Sequence, residues 1–156
     1  MERNPRYAVL LGAVSISTRY DPASRQLIVE YLETNTLQAD LARHVKAKKR
    51  FPRKNKLYDA RELSSLKNVE ELSRVIARIE PDAKGVPVLL RQYLKLGGRL
   101  LGFATDAQFN DTLDGLIKVD LRESEPHMLA RYMSAECAAR FIEYHEASAL
   151  AWRRAS

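Results

Sequence analysis

The most apolar stretch of the chain comes first. From Tyr7 to Ser17 nearly every residue is apolar, which predicts a strand buried on both faces. Such a strand needs neighbours on both edges, so it is expected to pair with the terminal hairpin or with another chain. Asp21-Pro22 marks a helix start, with Asp as cap and Pro at the first helical position. Leu27, Ile28, Tyr31 and Leu32 follow as an apolar stripe at helical spacing. Leu37, Leu41 and Val45 predict a second short helix. Asn68 with Glu71 resembles a capping box, and Val69, Leu72, Ile76 and Ile79 lie on one face until Pro81 stops the helix. Pro87 starts another helix, ended by Gly97-Gly98. Arg99 to Thr105 and Leu113 to Leu121 read as an antiparallel hairpin, with Ile117, Val119 and Leu121 on one face and Lys118 and Asp120 on the other. Ser134 caps a last helix with Ala138, Phe141, Ile142, His145, Ala149 and Trp152 in a stripe. The pattern is α/β, with three strands.

Composition narrows this picture. At 156 residues, 46% apolar and 29% charged, the chain suits a single folded domain spanning residues 1–156. No apolar run approaches the roughly 20 residues that span a bilayer. The lone Cys137 has no internal disulfide partner, which favours a reducing, cytoplasmic setting. The net charge of +6 is local: Arg43, Lys46, Lys48, Lys49, Arg50, Arg53, Lys54 and Lys56 carry more positive charge than the whole chain's excess. This basic insertion at 43–56 contains Pro52 and reads as an exposed loop.

Several chemistries are disfavoured. His44, His127 and His145 share no ligand spacing, and Cys137 lacks a partner thiol, so no metal site is expected. There is no Gly-x-Ser-x-Gly nucleophile elbow. No Gly-rich loop leads into a helix to hold phosphate.

Three ordered stretches resemble one family. They are Asn4-Pro-Arg-Tyr7 with Leu11-Gly-Ala-Val-Ser-Ile-Ser17, Tyr20 and Pro22-Ala-Ser-Arg-Gln-Leu27; then Val86-Pro-Val-Leu-Leu-Arg-Gln-Tyr-Leu-Lys-Leu-Gly-Gly98; then Gly102-Phe-Ala-Thr-Asp106, Phe109 and Leu113-Asp-Gly-Leu-Ile-Lys-Val-Asp-Leu121. Together they resemble the C-terminal portion of GNAT-fold N-acyltransferases of the hemolysin-like and ornithine-lipid-synthase group. The resemblance implies a partial GNAT-like fold with a short mixed sheet, a C-terminal antiparallel hairpin and packed helices. It implies fatty acyl transfer from an acyl-carrier-protein or CoA thioester to an amine, in lipid or N-acyl amino acid synthesis. The thioester would be a cosubstrate, with no tightly bound cofactor. The family's early strands and donor-binding loop precede the segment matched, so the chain is expected to be part of an active unit, completed by another chain or by a homo-oligomer. The alternative is a non-catalytic remnant or binding module.

On this map Ser15, Ser17 and Tyr20 end the strand that would line the acyl-transfer groove, with Tyr20 placed to protonate a leaving thiolate. The plainer reading makes them strand-end and packing residues. Arg25 would meet a phosphate or carboxylate, or simply face solvent. Arg91, Gln92 and Tyr93 would line an acceptor site, although Tyr93 also suits the core. Lys46, Lys48, Lys49, Arg50, Arg53 and Lys54 would contact an acidic acyl carrier protein or an anionic membrane surface, giving a cytoplasmic protein with peripheral attachment at the inner membrane face. A solvated loop is the next reading. Nucleic acid ranks last, because the segment lacks interleaved aromatics and a recognition helix.

Overall fold

The computed structural model describes residues 4–49, 51 and 58–155, with side chains as far as residue 147. The elements run β1 (Val9–Ile16), α1 (Pro22–Asn35), α2 (Ala39–Ala42), α3 (Ala60–Ser65), α4 (Val69–Ile79), α5 (Val88–Lys95), β2 (Arg99–Asp106), β3 (Thr112–Asp120), α6 (Pro126–Tyr132) and α7 (Ala135–Ala155). Among the described residues the sheet has the order β1-β3-β2. Both ladders are antiparallel, and an isolated parallel bridge joins Leu37 to Leu100. The expected mixed sheet is thus corrected to an antiparallel one, because β1 pairs directly with the hairpin strand β3. The α/β class holds.

The two faces of this sheet differ. Register pairs Val14 with Gly115, Ile16 with Leu113 and Gly12 with Ile117, and Val14, Ile16, Leu113 and Ile117 are all buried. This inner face joins Leu27, Ile28 and Leu32 of α1 and Leu72 and Ile76 of α4 in one core. Along β1 the opposite face is open, with Val9 42% and Leu11 64% exposed, whereas Asp120 beside Val9 on β3 is buried. The apolar run from Tyr7 to Ser17 is therefore not covered on both faces, which corrects the expectation. Helices α1 and α4 pack on the inner face, and alternate residues of the run stay wet.

Helix ends form where local chemistry places them. The Asp21 carboxylate accepts from the Ala23 N–H at 2.8 Å, and Ser134 Oγ accepts from the Cys137 N–H at 3.2 Å. Asn68 Oδ1 accepts from the Glu70 and Glu71 N–H groups, both at 3.1 Å. The reciprocal half of that cap goes elsewhere, since Glu71 takes the Lys67 N–H at 2.8 Å. A complete capping box forms instead at Asp59 and Glu62. Gly97 adopts φ 81°, which suits glycine. At Gly98 an added Cβ would sit 2.6 Å from the Tyr93 carbonyl oxygen. Leu37 and Leu41 are exposed rather than packed, and α2 is a single turn.

Helix α1 is covered on nearly every side. Gln26 to Leu32 are all buried, including polar Gln26 and Glu30, which bond to each other at 2.8 Å. Glu30 also accepts from the Tyr58 N–H at 3.1 Å. At the start of α1, Glu80 reaches from the end of α4; it is 4% exposed. It accepts from the Asp21 N–H at 2.9 Å and pairs with Lys84 at 3.1 Å. Burial acts to raise the Glu80 pKa, but the adjacent Ser24 hydroxyl, the Asp21 N–H and Lys84 outweigh it and hold the carboxyl below its usual range.

Two stability effects follow. Leu32→Ala removes a fully buried side chain of α1 and is expected to cost about 2–5 kcal/mol in denaturant unfolding. Glu80→Gln is expected to cost about 1–3 kcal/mol at neutral pH. Because the folded-state pKa of Glu80 is depressed, its contribution exists above the ordinary carboxylate range and is lost as pH falls through the folded value. The gap between wild type and Glu80→Gln should therefore close in acid, and a gap unchanged with pH would refute the assignment.

Candidate functional site

Residues after α2 run beside the outer edge of β2 and border the open face of the sheet. Lys49 contributes a carbonyl that accepts from the Thr105 N–H at 2.9 Å, and its ammonium pairs with Asp111 in the β2–β3 turn at 2.8 Å. Val45 lies over Gly102, where an added Cβ would meet Val45 Cγ1 at 3.6 Å. That is ordinary van der Waals spacing, so Val45 packs against the strand without requiring a glycine there.

This arrangement makes two grooves that share a wall. One, of about 490 Å³, is lined by Ala13, Ala104 and Leu116 of the sheet, with Lys46, Lys48 and Lys49 of the basic segment and Asp106 and Asp114 of the hairpin. The other, of about 760 Å³, lies between α1, α3 and β2 and is lined chiefly by apolar residues, among them Val29, Leu37, Phe51, Leu63 and Leu101, with Glu30 and Glu33. Val45, Ala47, Gly102 and Phe103 line both. Lys46 and Lys48 are exposed and make no ion pair among the described residues. An apolar trough thus borders a cationic one.

The residues expected to act together are spread over several partners. Ser15 stands on the open sheet face and donates to Asp114 at 2.6 Å, within reach of the cationic groove that Asp114 lines. Ser17 Oγ accepts from the Arg19 N–H at 3.2 Å, a local turn contact. Tyr20 donates its hydroxyl to the Gly85 carbonyl at 2.8 Å, and Lys84 lies 4.7 Å above its ring. Burial raises the Tyr20 pKa, with Lys84 opposing. That tyrosine is therefore protonated but already committed to a backbone acceptor.

The three consecutive residues of α5 point in three directions, as their roughly 100° spacing on a helix requires. Arg91 faces Glu70 on α4 at 3.8 Å. Gln92 accepts from the Tyr132 hydroxyl on α6. Tyr93 covers Gly12 of β1, where an added Cβ would meet its hydroxyl oxygen at 3.3 Å. These are packing roles at three interfaces, so the structure does not gather them into one site.

Arg25 is better placed. Its Nη2 donates to the Asp111 carbonyl at 3.2 Å, and its guanidinium lies 5.8 Å from the Phe51 ring. Burial lowers its pKa, with Asp111 opposing. Arg25 and Lys49 thus grip the same turn residue and tie α1, the hairpin turn and the basic segment together. Of the basic residues singled out, Arg50, Arg53 and Lys54 lie outside the described residues.

Sequence reading missed Asp111 and Asp114. The signal at the turn was Asn110-Asp111, whose φ values of 57° and 50° are ones that Asn and Asp tolerate. For Asp114 there was no local signal, because its partner Ser15 is 99 residues away. Among the described residues no group of three or more His, Cys, Asp or Glu could hold a metal ion, and no helix is long and apolar enough to cross a membrane. Comparison with protein-family models, with curated proteins and with solved structures finds no match.

Proposed function

We propose that this chain binds a fatty acyl thioester and serves as part of an N-acyltransferase unit, in lipid or N-acyl amino acid synthesis. The observation behind this reading is the shared wall at Val45, Ala47, Gly102 and Phe103, with an apolar groove on one side and a lysine-lined groove on the other. A fatty acyl thioester has the same two-part chemistry. Its alkyl chain seeks apolar cover, and its phosphate-bearing arm, or the acidic carrier protein that holds it, seeks positive charge.

In amine acylation the nitrogen attacks the thioester carbonyl, a C–N bond forms, the C–S bond breaks, the amine loses a proton and the thiolate gains one. The Ser15–Asp114 pair beside the cationic groove is the group we assign to take the amine proton. The oxyanion-stabilising donors and the rest of the donor site would come from a further segment or chain.

A binding module without turnover is the second reading. It is favoured by the Tyr20 hydroxyl, whose proton is already donated to the Gly85 carbonyl and is not directed toward a leaving thiolate.

The test is titration of purified chain with acyl-carrier-protein and acyl-CoA thioesters, followed by incubation with amine acceptors. Binding should weaken with salt. Lys46→Glu with Lys48→Glu should reduce affinity about 10-fold or more without changing the unfolding midpoint, since neither lysine is in the core. Undetectable thioester binding, or binding indifferent to the double substitution, would overturn the proposal. Turnover supports the enzyme reading; tight binding without acylation of any amine supports the module.

A further inference from the structure

Strand β1 has one free edge, and its parity can be read. The Leu121 N–H donates to the Ala8 carbonyl at 2.8 Å, which makes Ala8 and Leu121 a hydrogen-bonded pair. In an antiparallel ladder such pairs recur every second residue. With the continuous register from Val9–Asp120 to Ile16–Leu113, Leu10, Gly12, Val14 and Ile16 therefore bond to β3. Val9, Leu11, Ala13 and Ser15 direct their N–H and C=O groups outward. No described residue bonds to the backbone of those four. Their side chains also lie on the open sheet face, where Val9 is 42% and Leu11 64% exposed.

Exposed edges are ordinarily guarded by charge, proline or a bulge. The eight residues of β1, VLLGAVSI, contain no charge and no proline, and their register is unbroken. We infer that this edge pairs with the same edge of a second copy, antiparallel about a two-fold axis at Gly12. In that register Val9 faces Ser15 of the other copy and Leu11 faces its Ala13. Each outward residue of both copies then finds both its backbone partners. Shifting the axis by one residue in either direction carries the pairing beyond the outward set and strands one of its members. A two-fold seam also places side chains near identical ones of the other copy, which an uncharged strand tolerates and a charged one does not.

The product is a continuous antiparallel sheet through two chains. Because paired residues share a face, Leu11 of one copy packs beside Ala13 of the other, and both lysine-lined grooves lie on the same side of the dimer. This inference is independent of the proposed acyl chemistry. It can hold if no thioester binds, and it can fail while binding persists.

Light scattering across a concentration series, combined with amide hydrogen exchange, tests it. The expected result is an exchanging dimer in which the Leu11 and Ala13 amides gain protection as concentration rises. Ala13→Pro removes an outward N–H that β3 does not use, so the monomer should keep its fold while dimer affinity falls about 100-fold or more. Leu11→Lys should also weaken the dimer, as a charge guarding the edge. Circular dichroism and the unfolding midpoint verify that each variant is folded, and Leu11→Lys keeps the test open if Ala13→Pro fails to fold. A monomer at every concentration with these amides unprotected would overturn the inference. So would a dimer insensitive to the folded variants, or protection gained only on adding a different protein.

Discussion

Helix α1 is the element on which the rest of this structure depends. It lies against the inner face of the sheet and against α3 and α4, so its surface from Gln26 to Leu32 is almost wholly buried. A helix so placed cannot keep one polar side wet. Its buried polar groups must find partners inside the protein, and they do so in specific ways: Gln26 with Glu30, and Glu30 with the Tyr58 backbone. These bonds determine where the chain returns after the basic segment. At the other end Glu80 receives the Asp21 N–H, which holds the end of α4 against the start of α1.

Covering one sheet face so fully has a consequence for the other. Helices α1 and α4 take the inner face, β1 presents Val9 and Leu11 to solvent, and no described residue pairs with its outer edge. The open face becomes a surface with chemistry. The basic segment borders it, held by the Lys49 carbonyl on β2 and by the shared grip of Arg25 and Lys49 on Asp111. Structural and candidate functional features thus have one origin, a sheet whose β1 strand is covered on one face and open on the other.

That arrangement also explains why the lysines divide by role. Lys49 is spent on Asp111 and positions the segment. Lys46 and Lys48 are left to set the potential of the groove beside it. A segment of like charges repels itself and stays solvated unless something fixes its path; among the described residues the Lys49–Asp111 ion pair and the Lys49 carbonyl bond to Thr105 do so, and they fix the path that brings Val45 and Ala47 to the wall.

Much of the fold was legible in the sequence because helix ends are decided within a few residues. Asp21-Pro22, Asn68, Gly97-Gly98 and Ser134 act on the backbone beside them, and each acts as its chemistry requires. The hairpin was legible too, since Ile117 and Val119 alternate with polar neighbours. The run from Tyr7 to Ser17 misled for the converse reason. Apolar residues at every position are compatible with burial on either face, and only the location of distant helices selects Val14 and Ile16 over Leu11 and Ala13. The candidate site was legible in its lysines and not in its geometry. Ser15 with Asp114, Arg25 with Asp111 and Val45 with Gly102 are contacts across long sequence separations, and no local propensity encodes them. The sequence by itself determined where elements begin and end, because capping and turn chemistry are short-ranged. The tertiary structure alone decided which face is wet, which edge is free and which charges remain unpaired, because burial depends on what the rest of the chain covers.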